Sequence, residues 1–392
     1  MTKSRFNNIA EEYVNFVNDN IFLKEFTYSD NEIRIDNGEI ELADNIVWVD
    51  NFLFLIQIKH RNTSEAKDEQ NEIRWFKNKI ERIAKRQIKQ SIRNILENPD
   101  FKIISNSGNE VGISNMPIEN AKKIIIYLSS ENLPDKQKAI KFYESKDVGL
   151  IHLLHMNEYK WLCEYIITIT EIDRYLEFRE GMFRLFGNQI NEIPEQLIFG
   201  KYVSGDEIST IDLKYIKFYE DFDENIYDFN FLPYLSIFKE KIIGQKHESD
   251  YLFILRNIIK LTRHELKEFK IRFDKSIEIS KAKIYHKPFR FSVPRIDCTF
   301  LFVPIDLENT RFRGNCVNLL DNLSDYNMYD QAMSKSVSVA IYRNPESIEF
   351  IEIVWNYKEK EWQRDKEMEK HLDDYYPFRE TKINVTGGYK TK

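Results

Sequence analysis

The sequence predicts an α/β protein: a mixed sheet flanked by helices at the N-terminal end, a helical region after it, and a C-terminal α+β domain. Three observations point there. Two apolar, strand-length runs near residue 50 are joined by a two-residue turn. A long amphipathic helix follows them directly. Alternating strand patterns return only after residue 284. We divide the chain at 1–187, 188–283 and 284–392.

The elements follow in order. Ile9, Ala10, Tyr13, Phe16 and Val17 recur at helical spacing, so residues 7–20 read as a helix with Tyr13 at the centre of its apolar face. Glu39–Val49 and Phe52–Lys59 read as strands, with Asp50-Asn51 as a hairpin turn. From Lys67 to Glu97 the stripe Ile73, Phe76, Ile80, Ile83, Ile88, Ile92, Ile95 specifies a helix that ends at Asn98-Pro99-Asp100. Strands at Phe101–Ile104, Lys123–Leu128 and Leu150–Leu154, a helix over Pro134–Ser145 and another over Thr170–Phe186 complete the first domain. Helices are expected at Tyr227–Ile242 and Asp250–Lys281. In the tail, strands are expected at Thr299–Val303, Val337–Tyr342 and Ile348–Trp355, the last two joined by a turn at Arg343–Ser347.

Composition narrows the function. The 392 residues are 42% hydrophobic and 31% charged, which is ordinary for a soluble globular chain. A net charge of −7 means that any nucleic-acid contact must come from a local patch. The three cysteines, Cys163, Cys298 and Cys316, form no C-x-x-C pair, which argues against a zinc ribbon or a disulfide framework and fits a reducing cytoplasm. The N-terminus has no signal-peptide pattern, and the longest apolar runs are too short to cross a bilayer, so no membrane partner is expected. There is no P-loop, no G-x-S-x-G and no H-E-x-x-H. His152 and His155, three apart on a strand, point to opposite faces and read as structural rather than as a metal pair.

The chemistry concentrates between Gly38 and Lys59. Gln57 and Lys59 are two apart and share a strand face, and Asp44 lies across the hairpin from them. A lysine at the end of a buried apolar strand is costly unless it is paired, so Lys59 calls for a partner or a task. Metal-assisted phosphodiester hydrolysis supplies one. A hard cation such as Mg²⁺ takes oxygen ligands, and an ammonium beside it stabilises charge developing on phosphate. On the first helix Glu12 flanks the expected apolar face and Glu11 points away. On the long helix Gln87 falls near the line of Ile80, and Arg74, Lys77, Lys79, Arg82, Lys85, Arg86, Lys89 and Arg93 outweigh Glu72 and Glu81. His60 and Arg61 extend that basic zone, a candidate phosphate track. A structural ion pair for Asp44 and Lys59, and a merely solvated helix face for the cations, are the plain alternatives.

An acidic first helix, then E-x-E-x-x-D over Glu39–Asp44, a hydrophobic strand ending Gln57-Ile58-Lys59, and a basic helix bearing glutamine together resemble the PD-(D/E)XK nuclease superfamily. The resemblance covers roughly residues 5–180, to the few-residue accuracy of sequence boundaries. It implies a restriction-endonuclease-like fold and a metal-dependent nuclease acting on DNA in preference to RNA, endo or exo, with Mg²⁺ or Mn²⁺ as cofactor. It also implies a role in bacterial defence against phage or plasmid. Carried over by residue, Asp44, Gln57 and Glu12 would hold metal and Lys59 would act on the reacting phosphate, with Glu41 and Gln87 in support. Arg61, Lys85, Arg86 and Lys89 would contact nucleic acid. Gln57 stands where most members carry an acid, and this departure supports the alternative of a non-hydrolysing scaffold or binding module. Residues 188–392 match no family motif and are open to a protein partner.

Overall fold

The computed structural model describes residues 8–29, 31–35, 38–66, 68–222, 231, 234–235, 250–282, 286–305, 312–343 and 351–379. They fall into two compact units that part at the 226/227 junction. Expected helices between 188 and 283 are therefore shared between the units.

In the first unit, α1 (Ile9–Asn18) is capped by the Asn8 side chain and runs on as a π-helical turn, Asp19–Leu23. Then come β1 (Thr27–Ser29), a separate ribbon of β2 (Glu32–Ile35) and β3 (Gly38–Glu41), and the hairpin β4 (Asn45–Val49) and β5 (Phe52–His60). Asp50 takes a positive φ of 51° in the two-residue turn, a conformation that Asp tolerates. The long helix is α2 (Glu69–Phe76), a π-helical stretch Lys77–Ala84, and α3 (Lys85–Glu97). A second ribbon, β6 (Lys102–Ile104) with β7 (Glu110–Gly112), precedes β8 (Lys122–Leu128). The unit continues through α4 (Asp135–Lys138), β9 (Phe142–Ser145), β10 (Gly149–His155), α5 (Met156–Tyr165) and α6 (Ile169–Phe186) to α7 (Glu195–Ser204) and α8 (Tyr215–Glu220).

The central sheet has the order β1-β4-β5-β8-β10-β9, with β5, β8 and β10 parallel and the other neighbours antiparallel. Its faces are set by alternation along β5. Phe54 meets Phe22, just beyond α1, edge-on at 5.7 Å. Leu53 and Leu55 join a buried cluster with Ile46, Ile125, Tyr127, Phe76, Ile80, Ala84 and Ile88. The long helix thus covers one face and α1 the other. Gln57 and Lys59 continue the parity of Leu53 and Leu55, on the long-helix side.

Two expectations change in this unit. Glu39–Val49 is broken at Leu42-Ala43-Asp44, its first part pairing in the ribbon and its second in the sheet. The expected helix over Pro134–Ser145 is only four residues long, because Phe142–Ser145 pairs as an edge strand with β10. Gly149, at φ +72°, closes the turn between them in a conformation that favours glycine.

In the second unit, the helices Asp250–Ile259 and Arg263–Ala282 precede a four-stranded sheet of β11 (Phe289–Val293), β12 (Cys298–Ile305), β13 (Lys335–Arg343) and β14 (Ile351–Glu359). Helix Phe312–Gln331 connects the parallel pair β12 and β13, and β13 and β14 pair antiparallel. Most of Tyr227–Ile242, and the turn residues after Arg343, lie outside the described residues.

Candidate active site

Asp44 sits where the chain enters β4, one residue before the last β4–β5 pair, Asn45 with Ile56. At that point the backbone ladder stops, and the Asp44 carboxylate takes over. Its Oδ2 accepts from Ile58 N at 2.6 Å and from Lys59 Nζ at 2.9 Å. Lys59 Nζ also donates to Gln57 Oε1 at 3.3 Å and to the Ile58 carbonyl at 2.7 Å. All three ammonium donors therefore have acceptors, and the cost of holding the charge beside apolar strands is largely offset. Gln57 is buried, while the Asp44 and Lys59 side chains keep 7% and 15% of their surface, so the cluster opens to solvent at its polar end. Asp44, Gln57 and Lys59 are brought together as their spacing predicts.

Glu12 is not brought in. The buried side of α1 is Ala10, Val14, Asn15 and Asn18, rotated by roughly 100° from the Tyr13-centred face, since one residue turns the helix that far. Glu12 is consequently exposed, and Ile9 and Phe16 are left 66% and 65% exposed. Glu11 is the half-buried acid and accepts from Asn8 Nδ2 at 2.6 Å. The rotation has a physical cause in a polar network that an apolar count ignores. Asn18 Nδ2 donates to Asn45 Oδ1 at 2.8 Å, Asn45 Nδ2 to Asn15 Oδ1 at 3.3 Å, and Asn106 Nδ2 to Asn15 Oδ1 at 2.8 Å. Tyr159 of α5 donates to Asn18 Oδ1 at 2.5 Å. These residues fix the backbone next to Asp44. Their only sequence signal is the pair of asparagines three apart on a helix.

Arg61 also departs from expectation. It is buried, with Nε on Glu72 Oε1 at 2.8 Å, Nη1 on Glu65 Oε2 at 3.0 Å, and Nη2 on the Glu65 carbonyl at 2.8 Å and on Asn71 Oδ1. Glu72 is fully buried and takes Ser130 Oγ at 2.7 Å on its other oxygen. Arg61 therefore joins the end of β5 to the start of α2 and is not part of an exposed basic surface. Arg74, Lys77, Lys79, Arg82, Arg86, Lys89 and Arg93 are exposed, and Lys85 is half-buried against the Tyr143 ring. Lys89 pairs with Asp147 at 2.9 Å. Since the helix buries Phe76, Ile80, Ala84 and Ile88 toward the sheet, its exposed cations lie on the flanks and outer side, away from Gln57 and Lys59. Gln87 flanks the buried stripe. Its Oε1 is buried without a hydrogen-bond partner among the described residues.

No protein-family model, curated protein or solved structure matches this chain.

The donor set at the cluster is all oxygen: a carboxylate, a side-chain amide and a backbone carbonyl. Hard cations such as Mg²⁺ or Mn²⁺ prefer such donors. Among the described residues no group of three or more His, Cys, Asp or Glu side chains is arranged to hold a metal ion. The Glu39 and Glu41 side chains lie outside the described residues. His152 is structural. It is fully buried, accepting from Arg179 Nη1 on Nδ1 at 3.3 Å and bonded through Nε2 to Glu180 Oε1 at 3.1 Å. Burial above all, with the charge of Arg179, lowers its pKa to about 4, so it is neutral at pH 7. His155 instead caps α5 in a capping box with Glu158.

Proposed function

We propose that this chain is a metal-dependent nuclease of the restriction-endonuclease-like type, cutting DNA in preference to RNA. One observation carries the reading: Asp44, Gln57 and Lys59 converge at the end of a central strand. Support comes from element order, in which α1, three antiparallel strands, a long helix and a parallel strand follow one another around β5. Asp44 and Gln57 would hold Mg²⁺ or Mn²⁺, which when bound supplies Lewis acidity toward a phosphate oxygen and a more acidic water. Lys59 then orients the attacking water and stabilises negative charge growing on the phosphate. The exposed cations on the flanks and outer side of the long helix offer further phosphate contacts, away from the cleavage point. A role in cytoplasmic defence against phage or plasmid rests on family analogy alone, and the second unit is a candidate surface for a protein partner. Among the described residues no helix is long and apolar enough to cross a membrane.

A second reading, a scaffold descended from such a nuclease, is favoured by one specific feature. Asp44 Oδ2 and all three Lys59 donors are already satisfied within the chain. Incubating the purified protein with plasmid, linear duplex, single-stranded DNA and RNA, each with Mg²⁺, Mn²⁺ or chelator, separates the two. Metal-dependent cleavage of DNA supports the nuclease. Binding without cleavage on every substrate supports the scaffold.

A further inference from the structure

Asp44 stands at a gap between two ladders. The β2–β3 ribbon ends its pairing at Glu41, and β4 begins its pairing with Asn45 opposite Ile56. No strand ladder therefore holds residue 44 itself. Its carboxylate nonetheless reaches Ile58 N at 2.6 Å, beyond the last β4–β5 pair. Ile58 has no β4 residue opposite it, so on that side its amide depends on the Asp44 side chain for a partner.

The nearest fixed point is Asn45. It is fully buried and shares a face with Ile56, so it projects to the α1 side of the sheet, behind the carboxylate. Its side chain is bonded at both ends. Oδ1 accepts from Asn18 Nδ2 at 2.8 Å, and Nδ2 donates to Asn15 Oδ1 at 3.3 Å. Both partners are held in turn, Asn18 by the Tyr159 hydroxyl at 2.5 Å and Asn15 by Asn106 Nδ2 at 2.8 Å. An apolar pair would join α1 to the sheet without such demands, whereas a satisfied buried network rigidifies one arrangement.

We propose that Asn45 is a positioning residue for the Asp44 carboxylate, clamping the start of β4 to α1 so that the carboxylate stands where a metal ion would need it. The purpose of this clamp rests on the nuclease reading, and its geometry on the hydrogen bonds alone.

The test compares the full chain with Asn45→Val, which suits a strand and removes both bonds. Ile198→Ala, a core truncation in α7, is the purely structural control. Residue-resolved hydrogen exchange along β5 reads the clamp without metal or DNA. In Asn45→Val, exchange at the Ile58 amide should rise at least about tenfold relative to that at Phe54, which pairs with Val47 inside the ladder. Mn²⁺ titrated alone by calorimetry should bind at least about tenfold more weakly. Ile198→Ala should lower the melting temperature and move neither quantity. If Asn45→Val does not fold, Asn45→Ser, too short to reach both partners, gives the same reading. The proposal is overturned if the ratio of Ile58 to Phe54 exchange is unchanged, if Ile198→Ala shifts it equally, or if the Mn²⁺ affinity of the parent survives in the Asn45 variant. A parent that binds no Mn²⁺ and cuts no DNA refutes the nuclease reading instead, and the exchange ratio then still decides the clamp.

Discussion

At the residue scale, pairing geometry decides which charges are structural. Asp44, Gln57 and Lys59 were legible because strand alternation and a two-residue turn fix their relative positions. Glu12 was not, because the inward face of α1 is built from Asn15 and Asn18, and a count of apolar residues selects the wrong face. Arg61 reads as an extension of the basic run only until Glu72, eleven positions away, is seen to hold it. His152 gives a prediction with a definite sign. Its folded pKa of about 4 lies below the usual 6.5, so the unfolded chain binds more protons between those values. Stability is fully present above pH 6.5 and is lost as pH falls toward 4, by about 3 kcal/mol in all from this residue. Denaturant unfolding across pH 7 to 4 should show that loss. In His152→Gln the part of the slope between 6.5 and 4 should disappear, and an unchanged slope would assign it to other groups.

At the element scale, the long helix was readable from its apolar stripe, and its buried side matches that stripe at Phe76, Ile80, Ile88 and Ile95. The π-helical stretch Lys77–Ala84 left no sequence mark. Neither did the three-residue β1 or edge strand β9, since such short segments are defined by their partners rather than by their own pattern. The Arg61–Glu72 pair anchors this helix to the end of β5. Glu72→Leu, which leaves a buried guanidinium with one carboxylate partner fewer, should destabilise the protein by roughly 3–5 kcal/mol. A loss below about 1 kcal/mol, the range of an exposed pair, would show that Glu65 and Asn71 suffice. The exposed cations make a separate prediction. Reversing charge at Lys77, Arg82 and Arg86 should weaken DNA binding and flatten its salt dependence by about 0.9 for each phosphate no longer neutralised. Equal affinity and equal slope would make this face ordinary surface.

At the scale of the whole molecule, the mixed α/β first unit and the late return of a sheet were both visible in the sequence. The division into two units was not, because helices on either side of it look alike in composition and are told apart only by their contacts: α7 and α8 pack on each other and α7 on α6, while Asp250–Ile259 and Arg263–Ala282 pack on the second sheet. The first unit brings Asp44, Gln57 and Lys59 together at one end of its sheet. The central claim is that this cluster hydrolyses phosphodiesters, and it is tested most directly on Lys59→Ala. Metal-dependent DNA cleavage and melting temperature should be measured on the same preparation, beside the parent. We predict that cleavage by the parent is abolished in the variant, that DNA binding persists through the long helix, and that the melting temperature changes little. A large fall in melting temperature with cleavage intact would contradict the account and leave Lys59 as half of a structural ion pair, worth about 3–5 kcal/mol when broken.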